Sequence, residues 1–262
     1  MKKLSSNITT SKQQNDTKAD SDSSHSELSF PKVEAQVWIA LTYTALIMAL
    51  LTYFGKTNHS TKYFEEFFYS FGSIEKVSFA TKLYWICFGF TIYFLIPWAI
   101  IKCRKEKLRD YGLRLPTSYS HLWIYAVMLI IVIILAYFAS FQQSFQDKYP
   151  YYKYFQEAPN LYALFWVGRA LRFFALEFFF RGYLLFSLRP KMGDSAFFVS
   201  MVPYCMLHFG KPFPETIFAI FGGIIFCWIA ARTKSIWGAV VLHVALAIAM
   251  DFFSIAQKLD WI

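Results

Sequence analysis

Seven stretches of this 262-residue chain are apolar for roughly the length that a ~30 Å hydrocarbon layer requires, and nothing else in it constrains the fold as strongly. They cover about residues 36–55, 83–101, 121–140, 161–186, 195–209, 215–231 and 236–256. The pattern predicts an all-α, polytopic transmembrane helical bundle of about seven spans. Only 16% of residues are charged and 21% are aromatic, against about a quarter charged in a typical soluble domain. Residues 1–34 are rich in Ser, Thr, Lys, Asp and Gln with no apolar core, and read as a disordered cytoplasmic tail. With no cleavable signal peptide visible, the first apolar run is expected to act as an uncleaved anchor. Residues 35–159 then form an anchoring half. The less uniformly apolar residues 160–256 form a working half.

Net charge is +9. In a membrane protein, that excess is expected in cytoplasmic loops facing the lipid bilayer; a nucleic-acid partner is not expected. The densest basic run, Lys102-Cys103-Arg104-Lys105-Glu106-Lys107-Leu108-Arg109, therefore faces the cytoplasm. The N-terminal tail lies on the same side and the C-terminus on the other. Cys87, Cys103, Cys205 and Cys227 form no CxxC and read as small buried hydrophobes.

Several ionisable residues interrupt the later apolar runs: Arg169, Arg172, Glu177 and Arg181 in the fourth, His208 in the fifth, and His243 and Asp251 in the seventh. A charge in hydrocarbon costs several kcal/mol and normally faces a protein interior or a watery cavity. At ~1.5 Å per residue, Glu177 lies roughly 13 Å, His208 roughly 20 Å and His243 roughly 10 Å from the inner ends of their spans. The three can therefore meet at mid-membrane depth. Glu177 and Arg181, four apart, share one helical face. A structural ion pair would explain them; so would a carboxylate poised for general-base work on water. Asp251, two turns beyond His243, and Glu215, at the start of the sixth run, are secondary candidates. Glu215 is placed to cap its helix. Gly222-Gly223 reads as a close-packing spot.

Glu177-xxx-Arg181-Gly182, Tyr204-xxx-His208-Phe209-Gly210-Lys211-Pro212 and Arg232-Thr233-Lys234-Ser235-Ile236-Trp237 leading into Leu242-His243 together resemble the CAAX-protease and bacteriocin-processing family (CPBP, or Abi). The resemblance covers about residues 160–256. Asp110-Tyr111-Gly112-Leu113-Arg114 is similar to a segment that often precedes that core. It implies a helical membrane bundle enclosing a site where glutamate and histidine activate water against a peptide bond. Carried over residue by residue, the motif's second glutamate is Glu177, its arginine Arg181, its first histidine His208 and its last His243. The family's first glutamate, the usual base, is Leu176 here, and the polar residue four after the last histidine is Ala247.

The reading expected from residues and resemblance together is an intramembrane endopeptidase acting on a membrane-associated peptide or protein. Glu177 would deprotonate a water shared with His208. His243 would donate to the oxyanion, a role worth about 10²–10³ in rate, and Arg181 would position Glu177. The alternative, prompted by Leu176 and Ala247, is a catalytically silent immunity or scaffold protein that binds a peptide or partner helix. No cofactor is expected, although Glu177, His208, His243 and Asp251 are side chains that zinc accepts. The motif variant and chain length point to a bacterial inner membrane.

Overall fold

In the computed structural model, residues 34–56, 65–70, 72–116, 120 and 122–262 are described. The expected disordered tail, residues 1–34, lies outside them except for Glu34. Every regular element among the described residues is helical. In chain order these are α1 (Ala35–Tyr53), α2 (Glu65–Tyr69), α3 (Ile74–Phe90), α4 (Ile96–Cys103), α5 (Leu122–Ser140), α6 (Gln143–Lys148), α7 (Pro159–Glu177), α8 (Leu185–Met192), α9 (Ser195–Met206), α10 (Phe213–Thr233) and α11 (Trp237–Lys258). Wider π-helical stretches, Thr91–Leu95 and Phe178–Leu184, join α3 to α4 and α7 to α8.

Among the described residues, five helices are long and apolar enough to cross a membrane: α1, the continuous Ile74–Cys103 rod, α5, α10 and α11. The two other apolar runs of the sequence are also helical, but they differ in kind. The rod from α7 to α8 carries Arg169, Arg172, Glu177 and Arg181, all buried. Helix α9 has only 12 residues, because Gly210 and Pro212 end the apolar run soon after it. The charged rod thus buries these four residues against its neighbours while leaving Leu164, Val167 and Leu171 exposed on another face.

The π stretches break regular i→i−4 pairing, so some of their carbonyls look elsewhere for donors. Tyr43 donates its hydroxyl to Ile92 O at 2.6 Å, and Ser200 donates to Phe180 O at 3.1 Å. The second stretch drives Phe178, Phe179 and Phe180 fully inside. There Tyr43 meets Phe179 edge-on at 6.0 Å, and Tyr93 lies 5.8 Å from Phe179. This aromatic centre ties α1 and the α3–α4 rod to the charged rod.

Gly182 and Gly223 are among the glycines that permit close approach. A Cβ on Gly182 would sit 2.6 Å from the Tyr111 carbonyl oxygen, which explains why glycine follows Arg181. A Cβ on Gly223 would meet Met201 at 3.0 Å, so this half of the Gly222-Gly223 pair is the close-packing spot between α9 and α10; Gly222 faces open space. Cysteine burial differs from expectation. Cys227 alone is buried, Cys205 is half-buried, and Cys87 and Cys103 are exposed. The last two lie on outward faces of the Ile74–Cys103 rod, where a thiol is apolar enough to remain.

The register of α7 against α11 is set by two polar rungs. Glu177 meets His243 at 2.6 Å, and Arg169 donates to Asp251 at 2.8 Å. Residues 169 and 177 are eight apart, as are 243 and 251, and the helices run antiparallel, so both rungs close in one register. Asp251 also accepts the Tyr151 backbone N–H at 3.2 Å. Arg169 and Asp251 are 5% and 1% exposed.

Two stability predictions follow from these contacts. Gly182→Ala pushes a methyl into a backbone carbonyl that cannot rotate away, and is expected to cost about 1–3 kcal/mol, read as a lower midpoint in thermal unfolding of the detergent-solubilised protein. Asp251→Leu strands a buried guanidinium and is expected to cost about 3–5 kcal/mol. The Arg169→Met/Asp251→Leu double variant should recover most of that loss in the same assay.

Candidate active site

Glu177 is the last residue of α7, immediately before the π stretch, and its side chain has no solvent exposure. Arg181 stands on the same face four residues on, its Nε 3.2 Å from Glu177 Oε2, also with no exposure. The ion-pair contact lacks hydrogen-bond geometry, and neither Arg181 Nη nitrogen has an acceptor. Aromatic faces take their place: the guanidinium carbon lies 3.9 Å from the Tyr204 ring centroid and 5.3 Å from that of Phe226.

Glu177 Oε1 lies 2.6 Å from Nδ1 of His243, on α11. Phe173, one turn before Glu177, stacks on the His243 ring with centroids 4.3 Å apart. His208 lies just past the end of α9 and is 7% exposed. Its Nδ1 is 3.1 Å from the Tyr204 carbonyl oxygen, while its own carbonyl accepts Thr216 Oγ1 from α10 at 2.9 Å. One ring unites the group: Tyr204 lies 4.9 Å from His208 and 6.5 Å from His243, centroid to centroid. Four predicted site residues, Glu177, Arg181, His208 and His243, are thus brought together from three helical segments.

The secondary candidates stand elsewhere. Asp251 does not touch His243; it is spent on Arg169 and the Tyr151 N–H. Glu215, in the first turn of α10 as a cap would be, pairs with Lys211 at 2.6 Å and accepts the Tyr149 hydroxyl at 3.0 Å. The sequence reading missed Tyr204 as the common wall, Phe173 as the imidazole's stacking partner and Arg169 as the partner of Asp251. The matched eight-residue spacings of 169/177 and 243/251 were the available signal for the last.

Leu176 is buried in the apolar core cluster that also holds Phe178, Phe179 and Phe180. Ala247 is buried. No group of three or more His, Cys, Asp or Glu side chains gathers as a metal-ligand set among the described residues, and Asp251 pairs with Arg169. A separate cleft of about 470 Å³ lies beside the basic loop after α4, lined by Gln36, Lys105, Glu106, Tyr111, Phe186 and Pro190 among others. None of its lining residues belongs to the Glu177 group. In that loop, burial pulls the Glu106 carboxyl upward, but hydrogen bonds from Arg104 and Tyr111 outweigh it and hold the group below the usual carboxylate range.

No curated protein and no solved structure matches the chain. Residues 158–249, from the start of α7 into α11, match the family model described as type II CAAX prenyl endopeptidase Rce1-like. That span holds Glu177, Arg181, Tyr204, His208 and His243, so the segment that builds the site is the segment with the CAAX-endopeptidase family match, in line with the CPBP resemblance of its motifs.

Proposed function

We propose that this protein is an intramembrane endopeptidase resembling CAAX-processing proteases, hydrolysing a peptide bond of a membrane-associated protein or peptide with water activated by glutamate and histidine. The observation that carries this reading is the 2.6 Å contact between Glu177 and His243, residues 66 apart in sequence, with His208 against the same Tyr204 ring. A structural ion pair needs only Glu177 and Arg181. Two imidazoles packed around one tyrosine beside that pair supply proton-transfer groups, which peptide hydrolysis requires. The family match adds a peptidase chemistry that suits them.

In this reading the charged α7–α8 rod and the short α9 complete a seven-span bundle around the site, in a bacterial inner membrane. Residues 160–256 are the catalytic core and 35–159 the anchor. A peptide reaching the site places its scissile carbonyl near His243 and His208. Water attacks that carbonyl, and a protonated imidazole returns the proton to the leaving amine. Leu176 and Ala247 favour one other reading, a silent binding or scaffold protein in which the polar group is structural.

The test uses protein purified in detergent and a pool of membrane-derived peptides, with and without a chelator. His208→Ala and His243→Ala are each expected to lower cleavage roughly 10²–10⁴-fold, measured under conditions in which each variant is still folded in the detergent. Wild-type cleavage should survive the chelator. A fully folded wild type that cleaves nothing, metal-supplemented or not, contradicts the peptidase reading and favours the scaffold. Cleavage abolished by chelation and restored by zinc returns the reaction to metal chemistry.

A further inference from the structure

The contacts around the two histidines distribute the catalytic roles differently from the sequence expectation, in which Glu177 is the base and His243 an oxyanion donor. Glu177 and Arg181 have no exposure, His208 has 7% and His243 has 11%. Glu177 is therefore sealed beneath the imidazole that covers it. Its Oε1 is spent on His243 Nδ1, and its Oε2 is fully buried against Arg181 Nε. Neither oxygen is open to a water that also reaches a peptide carbonyl.

Hydrogen-bond chemistry fixes the tautomers. An ionised carboxylate and a backbone carbonyl can only accept. The Glu177 contact therefore requires a proton on His243 Nδ1, and the Tyr204 carbonyl requires one on His208 Nδ1. In a neutral imidazole the lone pair then lies on Nε2. Neither Nε2 has a hydrogen-bond partner among the described residues. Phe173, stacked at 4.3 Å, holds the plane of the His243 ring. An imidazole without a proton on Nε2 is a poor donor to an oxyanion and a good acceptor from water. Leu176, buried in the apolar core cluster, offers no competing carboxylate.

We propose that His243 Nε2 takes the proton from the attacking water and that Glu177 is the positioning residue that sets the His243 tautomer and stabilises the imidazolium. Arg181 anchors Glu177, and His208 Nε2 accepts the water's second hydrogen bond. The inference rests on the peptidase reading and reassigns roles within it. In the first step a water O–H bond breaks and its proton moves to His243 Nε2. The oxygen's electron pair forms a bond to the peptide carbon, and the C=O π pair moves onto oxygen. In the second step that pair re-forms C=O, the C–N bond breaks, and the departing nitrogen takes the proton from His243 Nε2. The products are a carboxylic acid and an amine. A carboxylate orienting a histidine that serves as base follows the division of labour in the serine-protease triad, with water here in place of the serine.

The test joins a spectrum to a rate profile. Protein labelled with ¹⁵N-histidine is compared as wild type, Glu177→Gln and Glu177→Leu, the His243 and His208 signals being assigned with His243→Gln and His208→Gln. The wild type should show neutral His243 protonated on Nδ1 and bare on Nε2, and Glu177→Leu should lose that preference. In cleavage assays kcat should rise with pH through the imidazole range, since the base acts only when neutral. Glu177→Gln keeps an amide oxygen that can accept from Nδ1. It should lose roughly 10²–10⁴ in kcat with little change in KM and keep the same rising limb, while His243→Gln falls to background. A wild-type His243 protonated on Nε2 overturns the assignment, whatever the activity. So does Glu177→Gln at background with an unchanged His243 tautomer, which would make Glu177 the base. A wild type that cleaves nothing overturns the peptidase reading and the proton-transfer step together, and leaves the tautomer to be judged from the spectrum alone.

Discussion

A carboxylate and a guanidinium buried together without solvent contact, Glu177 and Arg181, set the terms for the rest of the bundle. Removing an ion from water costs several kcal/mol even after relaxation, and a single pairing rarely repays it. The remainder comes from groups on other helices: the His243 N–H, the faces of Tyr204 and Phe226, and the packing of Phe173 over the imidazole. Each of these is useful only if α7, α9, α10 and α11 hold one mutual placement. The polar centre thus supplies directional information that apolar helix surfaces lack in lipid, where tails and side chains are equally greasy.

The flanking features serve that placement. The Arg169–Asp251 rung repeats the α7–α11 register one polar layer away, so His243 cannot slip a turn without stranding two charges. The π stretch after Glu177 carries Arg181 and lets the phenylalanines enter the core, with Ser200 occupying one of its carbonyls. Gly182 brings the chain against Tyr111 in the segment that follows the basic loop. The His208 corner is tied to α10 through Thr216, which anchors a residue that lies beyond a helix end.

Much of this was legible in the sequence because membrane burial makes polarity expensive. Each of the Glu177, Arg181, His208 and His243 positions interrupts an apolar run, and the places of Glu177, His208 and His243 along their runs allow the three to meet. The helical class followed from the same runs. The fourth and fifth runs were harder, since four charges and a 12-residue length remove them from the lipid-crossing pattern although both are helical. Tyr204 was legible only as a motif position, because an aromatic residue among 55 Phe, Trp and Tyr side chains carries no signal of its own. The π stretches were not legible at all, since they depend on partners such as Tyr43 and Ser200 in distant segments. Asp251 was linked to His243 by proximity on its own helix, whereas its charge is met across the interface.

The contact between Glu177 and His243 is best tested by a double-mutant cycle on stability, which requires no substrate. Glu177→Gln, His243→Phe and the combined variant would be unfolded alongside the wild type in the same detergent. Residues in direct contact within one polar network are expected to couple by about 0.5–3 kcal/mol, so the double variant should be more stable than the sum of the single losses indicates. Strictly additive losses would mean that the two residues do not meet, and would contradict the site as described.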